Sequence, residues 1–150
     1  MSERERREAA LSSAIRVEQL GDSLSQAATA LHDAVMRAIR KRASLGEAGI
    51  TQAQAQTVFA LEVALRQQAN ALYADAAGHI ITGLGTAQRQ LSGLLDAVRQ
   101  RIARHDKVSD WISLATSLLN LGRAVLARSA ERILSTLATV RERLQDIAGD

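Results

Sequence analysis

Residues 77–88, Ala77-Gly78-His79-Ile80-Ile81-Thr82-Gly83-Leu84-Gly85-Thr86-Ala87-Gln88, decide whether the middle of this 150-residue chain is one long helix or two. An apolar stripe enters the stretch from Val58, Leu61, Leu65, Ala69, Leu72 and Ala76. It passes through Ile80, Leu84 and Ala87, and leaves through Leu91, Leu94, Val98 and Ile102, always in three- or four-residue steps. That spacing places every member on one face of an α-helix. Thr51 and Gln54 have the spacing of a capping box at its start. The expectation is a second helix over residues 52–105, with glycines that either admit a close neighbour or kink it between Gly78 and Gly85. Each glycine costs about 1 kcal/mol relative to alanine.

Two chemical readings of the same stretch compete with this one. Ile80 to Gln88 resembles a strand entering a dinucleotide-binding loop, whose glycines let the backbone approach a pyrophosphate. Gln88 stands where the third glycine belongs, and no strand-helix-strand pattern surrounds it. His79 with Gly83 resembles the phosphotransfer-domain motif, in which a bundle histidine is followed at the third position by lysine and at the fourth by glycine. Thr82 occupies the lysine position, so the cation that would favour a phosphoryl group is missing. His79 is read as a histidine of the bundle or its rim.

Outward from this stretch the chain stays helical. Val17, Leu20, Leu24, Ala27, Leu31, Val35 and Ala38 form one stripe of a first helix over residues 3–42, with Ser2 and Glu5 at capping-box spacing. Gly46 and Gly49 bracket a loop. A third helix is expected over residues 110–147, with Ser109 or Asp110 as its cap. Within it Leu119, Leu126, Ile133, Val140 and Ile147 repeat every seven residues, as a coiled-coil seam requires. Its first half carries another stripe, Trp111, Leu114, Leu118, Leu121 and Val125. The fold class is therefore all-α: one domain spanning residues 1–150, an antiparallel bundle or extended hairpin of three long helices, four if the second breaks near Gly78 to Gly85.

Composition agrees. Proline and cysteine are absent and only three residues are aromatic. Without cysteine there is no disulfide, thiolate nucleophile or thiolate metal site. Asp75 and His79 share a helical face, but two ligands do not hold a metal, and no Glu-x-x-His pair occurs. No catalytic, cofactor-binding or metal-binding residues are assigned, and the chain is not expected to be an enzyme. The charged start lacks an apolar run and no window is long and apolar enough to span a bilayer, so a cytoplasmic location is expected.

Net charge is +3, with arginines spread along the chain. Arg37, Arg40, Lys41 and Arg42, and again Arg99, Arg101, Arg104 and Lys107, suit helix C-termini, so nucleic acid is not an expected partner. Between Ala43 and Val98 only Glu47, Glu62, Arg66, Asp75, Arg89 and Asp96 are charged. A helix so poor in charge is expected to be covered, which suggests a homo-oligomer or a helical protein partner. The sequence thus predicts an interaction or assembly module whose contact residues are Trp111, Leu114, Leu118, Leu121, Val125, Leu126, Ile133 and Val140. The Ala/Gln-rich, Cys- and Pro-free composition also resembles phasins, the helical coats of bacterial polyester granules. That resemblance implies a lipid- or polymer-surface protein. A third alternative is a helical toxin or pore component using the Leu114 to Val125 face on a membrane.

Overall fold

The structure is a computed structural model of the chain, and it describes residues 8–45 and 50–148. Among these residues it is all-helical, with five α-helices: α1 (Ala14–Leu45), α2 (Gln52–Ala74), α3 (Gln88–Arg104), α4 (Val108–Leu126) and α5 (Ala130–Ala148). A single 3-10 turn, Ala77–His79, follows α2. The count exceeds the expected three or four because both long predicted helices break.

The first break falls in the glycine stretch, where Ile80 is extended and no helix resumes before Gln88. Ile80, Ile81 and Thr82 are β-branched, and Gly83 and Gly85 adopt φ of 74° and 76°, which favours glycine. Gln88 explains why this conformation wins. Its buried amide accepts from Leu11 N at 2.9 Å and donates to Arg16 O at 3.1 Å and Gln19 Oε1 at 3.2 Å. Ala10 N donates to Thr86 O at 2.7 Å and Ile81 N to Leu11 O at 2.9 Å, so residues 9–11 are clipped to the connector. Ile81 and Leu84 are buried in that position.

The second break carries no glycine. Arg128 adopts φ 54°, its N–H donates to Val125 O at 2.9 Å, and Ser129 N donates to Ala124 O at 3.1 Å. This is the double bond of a Schellman motif, with arginine in the left-handed position usually held by glycine. Ser129 then caps α5, accepting from Arg132 N through its hydroxyl at 3.3 Å.

The other ends shift by small amounts. Helix α1 starts at Ala14, where Leu11 turns the chain at φ 61° and the Ser13 hydroxyl accepts from Arg16 N at 3.3 Å; the expected start at residue 3 lies outside the described residues. The expected Ser2 cap and the Gly46 to Gly49 loop lie outside the described residues. At α2 the capping box forms as expected: Gln54 N donates to Thr51 Oγ1 at 3.1 Å and Thr51 N to Gln54 Oε1 at 3.0 Å. Helix α4 starts after Lys107 without a side-chain cap, so neither Ser109 nor Asp110 serves that role.

Successive helices alternate in direction. Tyr73 meets Asp22 near the end of α2 while Glu62 meets His32 nearer its start, so α1 and α2 are antiparallel. Gln88 meets Arg16 at the start of α3 and Ala103 meets Arg37 at its end, so α1 and α3 are parallel. Helix α4 packs on α2 and α5 as well as α3. One core runs through all five helices and includes Leu24, Leu31, Leu65, Leu72, Val98 and Leu118. Burying a leucine in such a core is worth about 1.5–3 kcal/mol.

Candidate interaction surface

The residues expected to meet a partner are spent inside the chain. Trp111, Leu114, Leu118, Leu121, Val125, Ile133 and Val140 are buried, and Leu126 is half-buried against the same core. The Trp111 indole donates to the His105 carbonyl at 2.8 Å. Both stripes of α4 are therefore real but intramolecular, because α2 and α5 cover different sides of it. Those eight residues hold the bundle together, and the exposed residues of α4, Ser109, Thr116, Asn120 and Arg123, are not among them.

A different face remains open. On α2 the core side is Ala55, Val58, Leu65, Gln68, Ala69 and Leu72. Opposite it, Ala53, Gln56, Ala60, Val63, Gln67, Asn70 and Ala74 are all exposed and step alternately by three and four residues along the whole helix. Val63 is 53 % exposed. Every exposed residue of α2 is uncharged.

The two charged residues of α2 sit on its edge toward α1. Arg66 Nε donates to Glu62 Oε2 at 3.1 Å, and an Arg66 terminal nitrogen donates to Thr29 Oγ1 at 3.3 Å. Glu62 also bonds His32 Nδ1 at 3.0 Å, and the His32 ring lies 6.1 Å from that of Phe59. These contacts tie Glu62 and Arg66 to α1 and leave the outward seam free of charge.

The other candidates offer less. Asp75 Oδ1 accepts from Gly78 N at 3.2 Å and His79 Nδ1 bonds the Asp75 carbonyl at 2.8 Å, so the pair closes its own turn. Among the described residues no three His, Asp or Glu side chains gather as metal ligands. Because α1 and α3 are parallel, Arg37, Arg40 and Lys41 share one end of the bundle with Arg99, Arg101, Arg104 and Lys107. Asp33, Asp96, Asp106 and Asp110 are interspersed there. A groove of about 510 Å³ between α1 and α3 lies beside Arg37 and Arg99. Arg37 donates to Ala103 O at 3.0 Å and Arg99 is paired with Asp96, so both guanidinium groups are already engaged. No described helix is long and apolar enough to cross a membrane.

No protein-family model, curated protein or solved structure matches the chain. The sequence signal for the α2 face was the scarcity of charge between Ala43 and Val98. Its position was hidden because the larger residues Val58, Leu65 and Leu72 dominate the apolar pattern of the same helix.

Proposed function

We propose that the protein is a non-enzymatic helical assembly module and that the outward face of α2 is where it associates. The observation that carries this is the absence of charge along the outward seam of a 23-residue helix, whose two charged residues, Glu62 and Arg66, are both bonded at the edge toward α1. An exposed helix of a solitary domain ordinarily shows a charged outer face. A face of alanine, glutamine, asparagine and one valine has little charge to desolvate, and its alanines let a second backbone approach closely.

The contact moves from α4 and α5, where the sequence put it, to α2. The buried Leu114 to Val125 face no longer offers the membrane-active surface that motivated the pore-forming alternative. The granule-coat alternative rests on composition alone. Mass measured by light scattering across a concentration series tests the proposal: the chain should associate, and Val63→Glu should abolish association with its circular dichroism unchanged. A mass that stays monomeric at every concentration sinks the reading. So does association that Val63→Glu leaves intact.

A further inference from the structure

Where α1, Ile50 and the start of α4 meet, the chain leaves a pocket of about 370 Å³. Its origin lies in the sequence of α1. The core stripe of that helix carries Leu24 and Leu31 higher up, but Ala34 and Ala38 where it passes Trp111, and these short side chains line the pocket. Ala34, Ile50 and Trp111 are each at most 2 % exposed, so its floor belongs to the core. The Trp111 indole N–H is spent on the His105 carbonyl, which leaves ring carbon for a ligand to meet. Half-buried Ala38 and Val108 form the sides.

The rest of the lining is charged and exposed: Arg37, Lys41 and Asp106. Two cations against one carboxylate favour an anion, and an excess of one charge suits a monoanion. Arg37 is the better placed of the two to hold it. One of its terminal nitrogens donates to the Ala103 carbonyl at 3.0 Å. That acceptor is neutral, so it orients the guanidinium without cancelling its charge and leaves other N–H donors for a carboxylate. Asp33, one turn before Arg37, and Asp110, next to Trp111, do not line the pocket, and among the described residues no carboxylate is paired with Arg37.

We infer that this pocket binds a small organic monoanion, a carboxylate carried on an aromatic or short aliphatic body. The body rests on Trp111, Ile50 and Ala34, and the carboxylate pairs with Arg37 at the rim. An apolar floor with a few charged groups that fix orientation is the usual make-up of a small-molecule site, and the volume falls at the lower end of the usual range of about 300–1,000 Å³. The larger groove between α1 and α3 has no aromatic floor and is lined mostly by polar residues. The pocket involves no residue of the outward α2 face, so it stands whether or not the chain associates.

Trp111 is the sole tryptophan, so its emission and its single indole N–H resonance read the pocket directly. Phenylacetate is the probe and phenylacetamide its uncharged counterpart. The acid should change both signals saturably and bind severalfold more tightly than the amide, and Arg37→Gln should reduce the acid to the affinity of the amide. Ala38→Leu, which puts a larger side chain into the pocket, should remove binding of both, with circular dichroism and the melting midpoint reporting the fold. Arg37 is exposed, so its variant tests the site even where Ala38→Leu disturbs packing. Absence of a saturable Trp111 response to the acid overturns the proposal, as does acid binding that Arg37→Gln leaves unchanged. Equal affinity for acid and amide overturns the choice of an anion.

Discussion

The Gln68 side-chain carbonyl sits over the Cα of Gly122, so close that a Cβ on Gly122 would collide with it. The amide Nε2 of Gln68 meanwhile donates to the Leu119 carbonyl at 2.9 Å, which ties α2 to α4 across the core. A Cβ on Gly122 would have to push the Gln68 carboxamide aside at the expense of its bond to the Leu119 carbonyl, while Gly93 on α3 has no heavy atom within 4 Å of its missing Cβ. The same substitution should have opposite signs at the two sites. Gly93→Ala should stabilise by up to about 1 kcal/mol through helix propensity. Gly122→Ala should destabilise by about 1–3 kcal/mol through overpacking, and Gln68→Ala in the same chain should recover part of the loss. Urea melts of the three variants check this, and equal shifts for Gly93→Ala and Gly122→Ala would contradict it.

Arg128 holds the left-handed cap between α4 and α5 at φ 54° and is exposed. A side chain there costs roughly 1 kcal/mol that glycine does not incur. Arg128→Gly should therefore raise the melting midpoint. Leu11 has a similar φ of 61° but is buried, so Leu11→Gly should lower it, because lost core burial outweighs relieved strain. Calorimetry on the pair would read both signs.

Tyr73 should titrate above the ordinary tyrosine value of about 10. Removal of its phenol from water raises the pKa, and the Asp22 carboxylate that accepts its hydroxyl at 2.6 Å raises it further. As the sole tyrosine it can be followed by phenolate absorbance, and Asp22→Asn should bring the midpoint back toward 10. The folded pKa lies above the unfolded one. The associated stability is therefore complete below the unfolded pKa and lost as pH rises through the folded value, so thermal stability should fall only on the alkaline side. A wild-type midpoint at or below that of Asp22→Asn would refute this.

Trp111 is 2 % exposed and is covered by helices of its own chain. Its emission should be blue-shifted and should not change on dilution, even where the mass of the particle does. A red shift on dilution would mean that another protomer covers it.

The legible part of this fold was the part written in period. The stripes through Val17 to Ala38, Val58 to Leu72 and Ile133 to Ile147 all face the core, because hydrophobic spacing fixes a helical face regardless of what lies opposite. The breaks were less legible for two separate reasons. At Gly83 and Gly85 the apolar spacing happens to stay in phase through an extended segment, and the decisive bonds come from Leu11 and Gln88, distant in sequence. At Arg128 the left-handed residue is not a glycine. The stripes of α4 lie inside the chain, because a helix covered on both sides by its own bundle has the same apolar pattern as one that leaves a side open to a partner.

Gln88 is the residue that spoils the glycine motif, and its bond to Leu11 spans 77 positions. The antiparallel pairs α1 with α2 and α4 with α5 join neighbouring segments, and such contacts form early in folding. Bringing residues 9–11 onto the connector requires closure of a much longer loop, whose entropic cost grows with the logarithm of its length. In kinetic terms the clip is expected to act as a latch that closes late and opens early in partial unfolding, so the amides of Ala10, Leu11 and Ile81 should exchange with solvent sooner than those at the centre of α1.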